Sequence, residues 1–276
     1  MTRINPIRKP GSCAVACLAF TMLVVSSLGQ TATIDPDRPT VLITGSNRGI
    51  GLAFVQHYAG EGWNVLATAR SPEKADELQA LAADNEHIVL EQLDVTDLER
   101  IGELAEAYRD TPIDLLINNA GIYGDVELQR WGSIDPGAFE QVMAVNVLGP
   151  LKMSEAFAAH VAASEQKKIV SITSGAGVLS NRPTPRGGLL YRVSKAALNM
   201  AMRRAQAELR DQGVIVALVA PSVVATEMAR VAVPPARYAD ALAPEESVAG
   251  MAAVIAALDE TYDGTPRNFD GSVMPW

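Results

Sequence analysis

The chain has 276 residues, a formal net charge of −9 and 48% hydrophobic residues, which suits one large α/β domain or two small ones with a substantial core. No Lys/Arg-rich stripe runs through the body, which argues against nucleic acid as a partner. Both cysteines, Cys13 and Cys17, lie in the first twenty residues, and His57, His87 and His160 are scattered. The body is therefore expected to hold no disulfide, no thiolate nucleophile and no metal.

Arg3, Arg8 and Lys9 precede an apolar run from Cys13 to Leu28, followed by Gly29 and Gln30. A basic start, an apolar stretch and small residues form a secretory pattern, and Ser27-Leu28-Gly29 offers a small-x-small cleavage site. Residues 1–29 thus read as a signal peptide. The run falls near the roughly 20 residues of a membrane span, so the alternative is an uncleaved anchor that holds the body at a membrane, outside the cytoplasm, through residues 13–29. A third reading is an extension from an early start codon, with the body cytoplasmic. Residues 30–38 read as a linker, where Pro36 and the adjoining Pro39 oppose regular hydrogen bonding.

From Thr40 onward, short apolar runs alternate with helical stretches, the signature of a parallel sheet with crossover helices. Strands are expected at 40–44, 63–69, 87–92, 113–117, 167–173, 213–220 and 266–270. Most are Val/Ile/Leu-rich without alternation, as strands buried on both faces should be. Helices are expected at 49–60, 73–83, 97–109, 138–163, 188–211 and 244–259. Residues 39–276 then form a single doubly wound parallel-sheet (Rossmann) α/β domain of about seven strands with helices on both faces.

The first expected strand runs into Thr44-Gly45-Ser46-Asn47-Arg48-Gly49-Ile50-Gly51 and then a helix. Gly45 permits a tight turn, Gly49 lets the backbone approach a pyrophosphate, and Gly51 lets helix and strand pack closely. The phosphates would meet the exposed N–H groups and positive end of the helix. An NAD site places an acidic residue near the end of the second strand. Here that strand ends at Arg70, and Arg48 lies within the turn. Two guanidinium groups suit a ribose 2′-phosphate, which accepts bidentate charge-assisted bonds, so the expected cofactor is NADP(H).

Downstream, Tyr191 and Lys195 are four residues apart and share one face of a helix. A phenol titrates near about 10 and is a poor base at neutral pH. A neighbouring ammonium lowers that value, so the pair can serve as a general acid/base. Ser174 ends the strand 167–173, at the carboxyl edge where such folds bind ligands, and can hold a substrate oxygen. Glycine turn and tetrad (with Asn146) together point to hydride transfer between a nicotinamide and a carbonyl or alcohol.

These residues resemble the short-chain dehydrogenases/reductases, over Thr40 to the C-terminus. Thr44-Gly45-(x)3-Gly49-x-Gly51 is similar to that family's cofactor turn, and Asp94-Val95 to its adenine-contacting pair. Asn118-Asn119-Ala120-Gly121 resembles the segment that braces the central sheet beside the cofactor. The resemblance implies cofactor contacts from Gly45, Asn47, Arg48, Gly49, Ile50, Gly51, Arg70, Asp94, Val95, Asn119, Ala120, Gly121, Tyr191, Lys195, Pro221, Val224 and Thr226. It implies that Tyr191 protonates the carbonyl oxygen and that Lys195 lowers the Tyr191 pKa and bonds the nicotinamide ribose. Ser174 would orient the substrate, and Asn146 would complete a proton relay to Lys195 through water. Within the family, the Thr44–Leu52, Tyr191–Met200 and Asn268–Trp276 stretches resemble the C-factor and carbonyl-reductase-like branch, whose members typically use NADPH.

One departure is Ser222, where the family usually has Gly after Pro221, which puts the geometry of that loop in question. The leader is the other. The substrate pocket is expected between the loop 175–190, which contains Arg182, Pro183, Pro185 and Arg186, and the segment 222–243, which contains Met228, Val231 and Tyr238. These mostly apolar walls suit a hydrophobic small-molecule carbonyl or alcohol. The Ala- and Met-rich helices 138–163 and 188–211 suggest a homodimer through a four-helix bundle, as the family commonly forms. The competing functional reading is a non-catalytic NADP-binding signalling or redox-sensing protein of the C-factor type.

Overall fold

The computed structural model describes Met1, residues 34–180 and residues 188–276. The leader at 1–29, the first part of the expected linker, and Arg182, Pro183, Pro185 and Arg186 lie outside the described residues. The chain divides into Met1–Thr31 and Ala32–Trp276, and the second unit holds the fold.

Seven strands, β1 (Thr40–Thr44), β2 (Asn64–Ala69), β3 (Ile88–Gln92), β4 (Leu115–Asn118), β5 (Lys168–Ile172), β6 (Ile215–Ala220) and β7 (Arg267–Asn268), form one sheet. Its order is β3-β2-β1-β4-β5-β6-β7, and every pairing is parallel. Such a sheet is doubly wound, with its ligand crevice at the strands' carboxyl ends. β1, β2, β4, β5 and β6 are buried along their whole length, which is why their sequences run apolar without alternation.

Nine α-helices occur among the described residues: α1 (Gly49–Gly60), α2 (Asp76–Asp84), α3 (Leu98–Ala107), α4 (Pro136–Met143), α5 (Gly149–Ala162), α6 (Leu189–Leu209), α7 (Glu227–Ala232), α8 (Pro235–Ala239) and α9 (Pro244–Ala256). Two apolar cores flank the sheet. One joins Val41, Ile43 and Val65 to Phe54 of α1 and Met251 of α9. The other joins Leu42, Leu66 and Leu116 to Leu104 of α3, Phe157 of α5 and Met202 of α6. None of the described helices is long and apolar enough to cross a membrane.

Three expectations are corrected. The helix expected over 138–163 is α4, a π-helical turn at Ala144–Leu148, and α5. The wide turn lets Asn146 point into a fully buried polar corner; π turns of this kind often mark functional sites. The segment 222–243, read without elements, carries the short helices α7 and α8, each under seven residues and too short for a periodic signal. The strand expected over 266–270 is reduced to two residues.

Candidate active site

β1 delivers Thr44 to the sheet's carboxyl edge, and the chain turns there on glycine. Gly45 has φ +69°, and a Cβ on it would lie 2.9 Å from Ala120 Cα. At Gly51 a Cβ would overlap the Gly45 carbonyl oxygen and the Asn119 amide nitrogen. The Asn119 Nδ2 group donates to the carbonyls of Thr44 (2.9 Å) and Gly45 (3.1 Å), while Thr44 Oγ1 accepts from the N–H groups of Asn119 and Ala120, both at 3.0 Å. The turn after β1 and the segment after β4 are thereby locked together.

α1 begins on this turn with no side-chain cap and no acidic residue in its first turn. Its positive end and unpaired N–H groups are open to an anion. They open on a cleft of about 950 Å3 lined by Gly45, Asn47, Arg48, Gly49, Ile50 and Gly51, by Asp94 and Val95 beyond β3, and by Asn119, Ala120 and Gly121 beyond β4. Arg70, Tyr191, Lys195, Pro221 and Thr226 also line it. The glycines without which the turn could not close, the uncapped helix and the cleft size fit a dinucleotide. Val224 stands apart from that lining: it is 3% exposed and bridged in parallel to Leu242.

Cations also line the cleft. Arg48 and Arg70 are joined there by Lys74, in the 3-10 turn Pro72–Lys74. Arg48 forms an ion pair with Glu227 of α7. Both partners are largely exposed, 69% and 76% by side chain, and a pair so wet is worth under about 1 kcal/mol. An incoming phosphate can displace it.

β5 leads to Ser174, and α6 carries Tyr191 and Lys195. The Ser174 hydroxyl, which accepts from the Ala176 N–H at 3.1 Å, lies close enough to the Tyr191 phenol to act on its titration. The Lys195 Nζ group lies 5.7 Å from the centre of the Tyr191 ring and donates to the Ile172 carbonyl at 2.8 Å. Burial pushes the Lys195 ammonium down to about 8. Burial also pushes the Tyr191 phenol up; the Ser174 hydroxyl pulls it down, and the neighbouring Tyr123 adds a smaller upward push. The phenol therefore stands above its ordinary value, because desolvation outweighs the stabilisation that Ser174 gives the phenolate.

Asn146 is fully buried in the π-helical turn. Its Oδ1 accepts from the Ile122 N–H (2.8 Å), and its Nδ2 donates to the Ile122 carbonyl (2.8 Å) and to Ser194 Oγ (2.9 Å). Ser194 Oγ in turn donates to the Tyr191 carbonyl at 2.8 Å. Gly121 sits between: a Cβ there would be 3.4 Å from Asn146 Oδ1 and 3.8 Å from Lys195 Nζ. Of the four residues of the expected tetrad, Tyr191 and Lys195 line the cleft, Asn146 lies buried behind Gly121, and Ser174 stands at the end of β5 near the Tyr191 phenol. Asn118 Nδ2 donates to Ser154 Oγ and Ser171 Oγ, and Thr173 Oγ1 donates to Asn199 Oδ1 at 2.5 Å.

Ser222 answers the question raised by its replacement of glycine. It holds φ +66°, the left-handed conformation glycine would adopt, at a cost of roughly 1 kcal/mol. Ser247 Oγ, fully buried, donates to the Pro221 carbonyl at 2.7 Å and holds the loop. Thr226 Oγ1 accepts from the Ala229 N–H and caps α7. Sequence reasoning missed Lys74, Tyr123, Gln129 and Ser194. Lys74 follows Arg70 closely enough to have been suspected, whereas the other three gain their roles only from long-range contacts.

The model of the short chain dehydrogenase family matches residues 39–235. The chain belongs to that family. An uncharacterized oxidoreductase of Schizosaccharomyces pombe is 33% identical over 248 residues, covering 85% of this chain and 96% of the relative. The C-signal protein of Myxococcus xanthus is 34% identical over 169 residues, 60% of this chain and 93% of that protein. Among solved structures, the NADPH-bound carbonyl reductase from chicken fatty liver superposes with a TM-score of 0.79 at 33% identity, over 87% of this chain and 100% of the other. In this short-chain dehydrogenase the fold class expected from the sequence is therefore present, and its oxidoreductase family is established.

Proposed function

We propose that the protein is an NADP(H)-dependent oxidoreductase that reduces a small hydrophobic carbonyl compound, or oxidises the corresponding alcohol, with Tyr191 as general acid/base. The observation that carries this reading is the Tyr191 phenol beside the buried Lys195 ammonium, which lies 5.7 Å from its ring centre, both lining a dinucleotide-sized cleft. When bound, the nicotinamide supplies or accepts the hydride. Ser174 and Tyr191 would orient the substrate oxygen, and the Tyr191 hydroxyl would give it the proton or take it back. Lys195, with a value near neutrality, is suited to return that proton towards Asn146. The choice of the 2′-phosphorylated cofactor rests on Arg48, Arg70 and Lys74 along the cleft and on the similarity to an NADPH-bound carbonyl reductase.

Titration of the folded protein with NADPH and NADH, followed by cofactor fluorescence, tests the cofactor, and Tyr191→Phe tests the chemistry. Binding is expected to favour NADPH. Tyr191→Phe should leave that binding intact and lower turnover by about 10²- to 10⁴-fold. If NADPH bound but Tyr191→Phe left function unchanged, the competing reading as a non-catalytic NADP-binding signalling or redox-sensing protein, favoured by the similarity to C-signal, would take its place. We further propose a homodimer through α5 and α6, supported by Val193 and Met200, which stand two turns apart on α6 and remain 42% and 68% exposed. For the leader we propose export, which a mass measurement of the native N-terminus distinguishes from anchoring and from a later start.

A further inference from the structure

We infer that Gln129 is a positioning residue of this site, capping the helix that carries Tyr191 and holding Tyr123 against it. The inference rests on the reading of Tyr191 as the general acid/base. α6 starts after Gly188, which has φ +52° and no side chain to meet the helix's first N–H groups; such groups need a partner when buried. Gln129, 3% exposed, supplies one across 61 residues of sequence: its Oε1 accepts from the Leu190 N–H at 3.0 Å. Its Nε2 donates to the carbonyls of Tyr123 and Asp125, both at 3.1 Å. One buried amide thus ties the segment after β4 to the residue next to Tyr191.

The segment so held carries Tyr123, whose ring centre lies 5.1 Å from that of Tyr191 at a 39° tilt. A Cβ at Gly188 would overlap the Tyr123 phenol, so the glycine that leaves α6 uncapped also makes room for this ring. Gly124, at φ +78°, lets the chain pass Gln129; a Cβ there would be 3.4 Å from Nε2 and 2.8 Å from Val142 Cγ2. Asn146 fixes Ile122 by both of its main-chain groups, so Tyr123 stands between two clamps. The consequence is a fixed relation between two phenols. A misplacement of about 1 Å at such a centre lowers rates by about 100-fold.

The test uses Gln129→Met, which keeps length and loses all three hydrogen bonds, and Gln129→Glu. The probes are NADPH, 4-nitrobenzaldehyde as carbonyl substrate, amide hydrogen exchange at Leu190 and Tyr191, and NMR titration of the ring-labelled Tyr191. NADPH affinity is expected to stay within about twofold, because Gln129 shares no partner with the glycine turn. Gln129→Met should lose about 10- to 100-fold in kcat, with faster exchange at Leu190 and a lower titration midpoint for Tyr191. Gln129→Glu should regain activity as the pH falls, because only its protonated carboxyl can donate to one carbonyl while accepting from Leu190. Variants that fold, bind NADPH and keep the kcat, pH profile and exchange of the parent overturn the inference. If the parent protein reduces no carbonyl, the functional reading fails by itself; unchanged exchange and Tyr191 titration in both variants would then still overturn the role of Gln129.

Discussion

Where β1 turns into α1, the chain is held by main-chain atoms and by the absence of side chains. Around β5 and α6 it is held by buried polar side chains gathered from three separate segments. The first region depends on Gly45 and Gly51, at which an added Cβ would meet backbone or the Asn119 amide. The second depends on Asn146, Ser194, Lys195 and Gln129, each buried and each bonded to main chain or to another of the group. The first arrangement tolerates no added atom; the second tolerates no missing donor. A cradle for phosphates needs close backbone approach, whereas a proton-handling corner needs groups whose titration is set by burial.

The contrast can be broken most sharply at Gly51. Gly51→Ala should cost about 3 kcal/mol where the new methyl meets the Gly45 carbonyl, seen as about a 100-fold loss of NADPH affinity by fluorescence titration. Gly60→Ala in the same helix, with nothing within 4 Å of its Cβ, should leave binding unchanged. Equal effects at the two glycines would sink the idea that lack of a side chain builds the cradle.

The corner around Tyr191 is probed through Lys195. Its folded value of about 8 lies below the ordinary 10.5, so between those values the unfolded chain binds the proton and the folded chain does not. Stability should therefore rise with pH across that window, by up to about 3 kcal/mol, with the penalty fully present below pH 8. Lys195→Met should flatten the rise in urea unfolding measured from pH 7.5 to 10. A residual slope is expected from Lys168, also lowered by burial. An unchanged slope would mean that Lys195 is not desolvated.

The smallest effect is expected at the loop after β6, which joins the two modes: Ser222 has a glycine's conformation, yet a buried hydroxyl, that of Ser247, holds the loop. Ser222→Gly should change stability by about 1 kcal/mol or less, because relief of left-handed strain is offset by the entropy glycine adds to the unfolded chain. A loss of several kcal/mol in thermal unfolding would show that the serine side chain itself supports the loop.

The glycine turn was legible because its physics is local: a strand, three glycines and a helix start lie within a dozen residues. The parallel sheet was legible for the same reason, since strands buried on both faces must be apolar throughout. Tyr191 and Lys195 were legible from helical spacing, and Ser174 from its place at a strand end. Gln129 and Ser194 were not, because a glutamine or serine in sequence carries no sign of which buried amide or carbonyl it will meet. Nor was the π-helical turn at Ala144–Leu148, which looks like uninterrupted helix in its composition.

The amino-acid sequence by itself determined the fold class and placed the glycine turn between β1 and α1 and Tyr191 and Lys195 on one helix, because glycine freedom, apolar runs and helical periodicity act over a few residues. Only the tertiary structure decided that Arg48 pairs with Glu227, that Ser222 takes up a left-handed backbone, and that burial lowers Lys195 while raising Tyr191. Those outcomes depend on groups distant in the chain and on how completely water is removed between them, and neither quantity is carried by local sequence.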